Sequence, residues 1–157
     1  MLYFAYGSCM DEKSFAETVG MNHFTTLGRA VLSDYTLVFN WCSQKSGTGV
    51  ADIIPKPDEW MEGVLYQLDD LALPPLDRRE GVHEGIYYRK RIQVKYNHQD
   101  LKVMTYSVVN KSDQEIKPSV SYLQKIYNGT KKHLSPIYLQ KLVEKWEKQF
   151  GISSFRG

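Results

Sequence analysis

Tyr3-Phe4-Ala5-Tyr6-Gly7-Ser8, followed at once by Cys9, sets an aromatic, apolar run against a break of small residues near the start of the 157-residue chain. Such a run reads as a strand that stops in a turn ahead of a helix. Glycine in the turn permits positive φ and close approach of a ligand to the backbone. Successive N–H groups there can face an anion, and the dipole of the following helix adds to the attraction. The simpler reading of the same residues is a strand-to-helix turn with Ser8 as its cap. Glu80 is the second group with chemistry to offer. Within LDRREGVHEGIYYR, residues Leu76 to Arg89, it stands directly before Gly81. A helix end that feeds a strand can point a carboxylate into a cleft, where partial burial raises its pKa toward the range useful for acid–base work. Its neighbours Asp77, Arg78, Arg79 and Glu84 read as a solvated charged face, and an ordinary surface role is the simpler alternative for Glu80.

Cys9 is the nucleophile that the turn offers, since a helix N-terminus lowers a thiol pKa. A Cys–His pair would need His23, His83, His98 or His133 beside it, and no spacing promises that. A small buried cysteine is the simpler state. Gly47-Thr48-Gly49 lacks the Lys-Ser/Thr of a phosphate loop, and no dinucleotide fingerprint occurs, so this segment reads as a flexible loop. Cys9 and Cys42, with no CxxC and no His/Cys cluster, suit a reduced compartment and give no zinc site.

These groups need elements to hold them. Tyr3 to Tyr6 reads as a strand and Asp11 to Val19 as a short helix, with Phe15 and Val19 on one face. Gly28 to Asn40 reads as a strand pair or one bent strand. Ser43 to Pro57 reads as a loop, a short strand at Val50 to Ile54 and a proline turn, followed by another strand at Trp60 to Leu68. Pro74 and Pro75 are expected to interrupt a helical segment, leaving a short helix over Leu76 to Glu80. Ile86 to Tyr96 and Leu101 to Val109 alternate as strands joined by a turn at Asn97 to Asp100. From Pro118 the period becomes helical: Val120, Leu123 and Tyr127 share one face. A second helix follows, with Ser135 as N-cap, Pro136 at its first position and Leu139, Leu142, Val143, Trp146 and Phe150 as its stripe. Around six strands with few edges suit closure into a barrel. The expectation is a single α+β domain over residues 1–157, a mixed barrel-like sheet with flanking helices.

Composition narrows the partners. A net charge of +2 without a dense Lys/Arg stripe gives no argument for nucleic acid. The N-terminal residues lack the basic region and long apolar core of a signal peptide, and no apolar run reaches the roughly 20 residues of a spanning helix. A cytoplasmic protein without metal or membrane is the expectation.

Three separated pieces, Tyr3 to Ser8, Leu76 to Arg89 and Thr105 to Ile126, stand in an order and spacing that resemble the gamma-glutamylcyclotransferase family. The resemblance implies a small mixed domain on a barrel-like sheet. It implies an enzyme that cyclises a small gamma-glutamyl amide to 5-oxoproline and a free amine or amino acid, without a cofactor. It assigns the substrate-binding loop to Tyr3, Phe4, Ala5, Tyr6, Gly7, Ser8 and Cys9, and the catalytic glutamate of the family's Leu-Asp-x-x-Glu-Gly motif to Glu80. Tyr122 matches a family tyrosine that contacts substrate after a Pro-Ser pair, and Tyr87 and Tyr106 match further pocket tyrosines. The family's usual loop is Tyr-Gly-Ser-Asn; here Cys9 replaces the asparagine, which bears on substrate preference more than on reaction type. Two other readings accompany this one: a Cys9-dependent amidase or acyl transferase, and a small-molecule binding module without turnover.

Overall fold

Phe24–Cys42 and Gly49–Leu68, the two longest extended runs, dominate the architecture as strands β2 and β3, paired antiparallel from Phe24 opposite Leu68 to Cys42 opposite Gly49. The computed structural model describes residues 1–157. The first strand, β1 (Leu2–Ala5), lies antiparallel to β3 and, at Tyr3 opposite Met104, parallel to the last. That last strand, β5 (Gln99–Val108), forms a hairpin with β4 (Tyr87–Tyr96). Asn97 and His98 make its turn with φ of 47° and 64°, the left-handed pair that suits a two-residue hairpin. A single β2–β4 pairing, Val31 opposite Lys95, completes a closed barrel in the order β1-β3-β2-β4-β5.

The barrel has five strands, fewer than the sequence suggested, because Val50–Ile54 and Trp60–Leu68 belong to one strand. The proline segment between them bulges out of β3 without ending it: Tyr35 faces Pro55 while Ser33 faces Trp60. Asp34 and Asp58 absorb the kink at φ of 62° and 69°, and the Asp58 N–H donates to Asp34 Oδ1 at 3.0 Å. Pro55 and Pro57 remove two ladder donors, which a bulge tolerates and a regular ladder does not.

Four helices complete the fold: α1 (Glu12–Val19), α2 (Leu73–Glu80), α3 (Val120–His133) and α4 (Pro136–Phe150). Asp11 caps α1 by accepting the Ser14 N–H at 3.0 Å, and Ser119 and Ser135 cap α3 and α4 in the same way. In α2 the two prolines start the helix and do not interrupt it. A first turn needs no donor from its own N–H groups, so Pro74 and Pro75 cost nothing there. The buried face of α3 is Leu123, Ile126, Gly129 and Thr130; Val120 is exposed and Tyr127 stacks on Phe155. The face is turned toward Gly129 because that glycine lies directly on Met10, where an added Cβ would come within 2.4 Å of the Met10 Cβ. In α4 the buried stripe is Tyr138, Leu142 and Trp146, four residues apart. No helix is long and apolar enough to cross a membrane.

The core nearest the N-terminal turn is aromatic. Phe15 stacks on Tyr66 at 4.3 Å, with Phe24 edge-on to both and Tyr3 alongside. Such contacts contribute about 0.5–1.5 kcal/mol per pair beyond burial. They fix Tyr3, and with it the strand that delivers the turn.

Candidate active site

β1 ends at Ala5, and Gly7 leads into one 3-10 turn, Ser8–Met10, before α1 begins. Gly7 is where the backbone itself forms the wall. A Cβ on it would meet the Ala51 Cβ at 3.3 Å and stand 3.6 Å from the Tyr122 hydroxyl, narrowing the space in front of the turn. The N–H groups of Tyr6 and Gly7 donate to no protein acceptor, whereas the N–H groups of Met10 and Asp11 close the turn onto Gly7 and Ser8 carbonyls. Two backbone donors are therefore left over at the turn. Behind it, the Tyr66 hydroxyl donates to the Cys9 carbonyl at 2.8 Å.

Opposite the turn stands the C-terminal end of α2. Gly81 ends the helix at φ 66°, and any side chain on it would crowd Glu84 and Ile86, so glycine meets both demands at once. Glu80, one residue earlier, is half-buried and reaches the turn: Cys9 Sγ is 3.7 Å from its Oε1. Loss of solvent around the carboxyl is the largest influence on it and outweighs the nearby Arg79 guanidinium, pushing the pKa up to about 7. Burial likewise pushes the Cys9 thiol up to about 12, against the pull of Arg79. The thiol is therefore neutral near neutral pH and keeps its proton for Glu80.

Tyrosines enclose the space between. Tyr6 donates to the Tyr106 carbonyl at 2.7 Å, Tyr106 to Asp77 Oδ1 at 2.7 Å, and Tyr87 to the Ala51 carbonyl at 2.5 Å. Tyr122 accepts the Ala51 N–H at 3.0 Å, which leaves its own proton for another acceptor. The result is a small pocket lined by Tyr3, Tyr6, Gly7, Ser8, Cys9, Ala51, Glu80, Tyr87, Tyr106 and Tyr122. A carboxyl titrating near 7, free N–H donors and a tyrosine hydroxyl in one small space can move a proton and hold an anion.

A profile of the AIG2-like family matches residues 60–142, more than half of the chain. Human gamma-glutamylcyclotransferase is 31% identical over 148 residues, which cover 90% of this chain and 76% of that protein. The chain belongs to the AIG2-like, gamma-glutamylcyclotransferase-like family. The Bacillus subtilis protein YkqA is 35% identical over 142 residues, 89% of this chain but 50% of that protein, so this chain spans half the length of that relative. A solved structure of a gamma-glutamyl cyclotransferase superposes with a TM-score of 0.82 at 27% identity, covering 90% of this chain and 85% of that one.

Against the expectations for this AIG2-like chain, the structure brings Tyr3, Tyr6, Gly7, Ser8, Cys9, Glu80, Tyr87, Tyr106 and Tyr122 into one pocket. Phe4 and Ala5 are corrections: both are fully buried but neither lines it. Strand alternation turns the Phe4 ring away from Tyr3, onto Gly63, and Ala5 also packs its carbonyl against Gly63. The charged face drawn around Glu80 holds for Arg78 and Glu84, which are exposed, and is corrected for its other two members. Asp77 is buried and forms a forked ion pair with Arg89, and Arg79 is half-buried. Arg79 donates to the Ser14 carbonyl, the Thr18 hydroxyl and, at 3.1 Å, the Ser8 hydroxyl, tying α2 to α1 and to the turn. Ala51 escaped sequence reasoning because an alanine in a strand carries no chemical signal; its role is made by its backbone.

Proposed function

We propose that this protein is a gamma-glutamylcyclotransferase, releasing 5-oxoproline and a free amine or amino acid from a small gamma-glutamyl amide. The observation that carries the reading is that Glu80 and the unpaired Tyr6–Gly7 backbone line a single tyrosine-walled pocket. The substrate supplies its own nucleophile. With the α-carboxylate on the turn, Glu80 takes a proton from the α-ammonium and the amine nitrogen bonds to the γ-carbonyl carbon. The tetrahedral oxyanion collapses, the old amide C–N bond breaks, and Glu80 returns the proton to the departing nitrogen; the second proton that the attacking nitrogen sheds as it becomes the lactam N–H passes to the freed amine, which leaves as an ammonium. A carboxyl with a pKa of about 7 suits both halves of that exchange. No nucleophile, metal or cofactor from the protein enters this scheme.

The names of the relatives support the activity, and the neutral, buried Cys9 weighs against a thiol-dependent amidase. Two of the four histidines are engaged elsewhere, His23 with Asp69 and His133 with Glu12, and Cys9 bonds to Glu80. In this reading residues 1–157 act as one domain. The small net charge favours a small molecule over nucleic acid, and two free cysteines are at home in the cytoplasm. The test is incubation with a panel of gamma-glutamyl amides and detection of 5-oxoproline by mass spectrometry. Release by wild type and not by Glu80→Gln is expected; no release from any amide would overturn the assignment.

A further inference from the structure

Past Ser8, Glu80, Tyr87 and Tyr122 the pocket adjoins a second, wider groove of about 440 Å³. These four residues line both spaces, so Glu80 stands at the boundary between them. With the gamma-glutamyl group on the turn, as in the cyclotransferase reading, the atoms on the far side of the reacting amide have this groove to enter. Its chemistry is uneven. Trp41, Val50 and Ile86 give it an apolar wall, while its charged side chains apart from Glu80 are Lys45, Arg78, Arg79 and Glu84. Arg79 is engaged with Ser8, Ser14 and Thr18. Lys45 and Arg78 are exposed and take part in none of the molecule's eight ion pairs.

We propose that this groove receives the leaving amine, and that Lys45 and Arg78 select amines carrying a carboxylate beside an apolar body while disfavouring cationic polyamines. The proposal rests on the cyclotransferase reading. Three cations against two carboxylates, Glu84 and Glu80, leave the groove net positive, with Lys45 and Arg78 as its unpaired cations, so it favours an anion over a polyamine, and the apolar wall gives the leaving group's carbon skeleton a surface to cover. Charges this exposed act within a Debye length, about 8–10 Å near physiological salt, so the selection weakens as salt rises.

The test compares the gamma-glutamyl amides of phenylalanine, of phenethylamine and of spermidine. The first two differ by one carboxylate, and the third is polycationic. Wild type should show kcat/KM falling in that order. Lys45→Gln and Arg78→Gln should each reduce the phenylalanine-to-phenethylamine ratio about two- to five-fold, mainly through KM, as expected for solvent-exposed pairs. The ratio should also fall in added salt. Equal kcat/KM for the first two amides, or a ratio unchanged in the double variant, would overturn the proposal. Should no amide yield 5-oxoproline, the cyclotransferase reading fails, and calorimetric binding of the same three compounds decides the groove separately. Tighter binding of the carboxylated compound, lost in the double variant, would uphold the charge selection; indifference to the carboxylate would overturn it.

Discussion

The Cys9 thiol donates to the Glu80 carboxylate, Sγ to Oε1, at 3.7 Å. The contact joins the first turn of the chain to the end of α2, 71 residues away. A thiol is a weak donor, and one kept neutral by burial cannot also be the attacking group.

Cys9 should therefore be dispensable for turnover. Cys9→Ser and Cys9→Asn should both keep 5-oxoproline release, with changes confined to affinity and to the acid limb of the rate. Iodoacetamide should label the native protein at exposed Cys42 and reach buried Cys9 only on unfolding. Mass mapping of the labelled peptides checks this, and a trapped acyl-thioester on Cys9 would instead favour the thiol-dependent rival.

Glu80→Gln should lower kcat by about 10²–10⁴-fold with KM little changed, the usual reach of general acid–base catalysis. The wild-type rate should fall as pH drops below about 7, where the base becomes protonated. Stability should move the opposite way to most carboxylates. Burial lifts this group from 4.5 to about 7, so between those values the native state holds a proton that the unfolded chain has lost. Its stabilising contribution is present below the lower value and is lost as pH rises through the upper one. Glu80→Gln should melt above wild type at pH 8, and the two should converge toward pH 5.

Tyr122→Phe should act on binding. The wild-type hydroxyl accepts from the Ala51 N–H and keeps its proton for substrate. Losing one neutral hydrogen bond costs about 0.5–1.5 kcal/mol, or about 2- to 13-fold in KM. Steady-state kinetics with kcat nearly constant is the expected result.

Gly129→Ala should be destabilising although alanine favours helices. Its Cβ would stand 2.5 Å from the Met10 carbonyl oxygen, and overpacking of this kind costs about 1–3 kcal/mol. The push falls on the Ser8–Met10 turn, so activity should drop more than the melting shift alone explains. Denaturant titration beside the 5-oxoproline assay separates the two effects.

What could be read in the sequence follows from where each signal resides. The Tyr3–Ser8 break, Glu80 before Gly81 and the Ser135-Pro136 helix start are local chemistry, and each has its place in the structure. The continuity of β3 through Pro55–Pro57 was not legible, because the bulge that accommodates the prolines is set by Asp34 on the facing strand. Asp77 and Arg79 looked solvated for the same reason: their partners Arg89, Tyr106, Ser8, Ser14 and Thr18 lie in other elements. Phe4 was included through a contiguous motif, which cannot express that alternate residues of a strand face opposite ways, and Ala5, on the same side as Tyr3, is a small side chain that the motif could not show to be buried away from the pocket.

The parallel seam between Tyr3 and Met104, with the Tyr122 hydroxyl on Ala51, has a consequence for the chain during its synthesis. The ribosome delivers the Gly7–Ser8 turn well before Tyr122, whose hydroxyl stands beside it. Until β5 and α3 have emerged, one edge of β1 has no neighbour and the turn has no pocket to line. A nascent or truncated chain ending within the β4–β5 hairpin thus presents a bare strand edge, the kind of surface that recruits chaperones or other unfinished chains. The pocket is complete only once α3 has closed over the N-terminal turn.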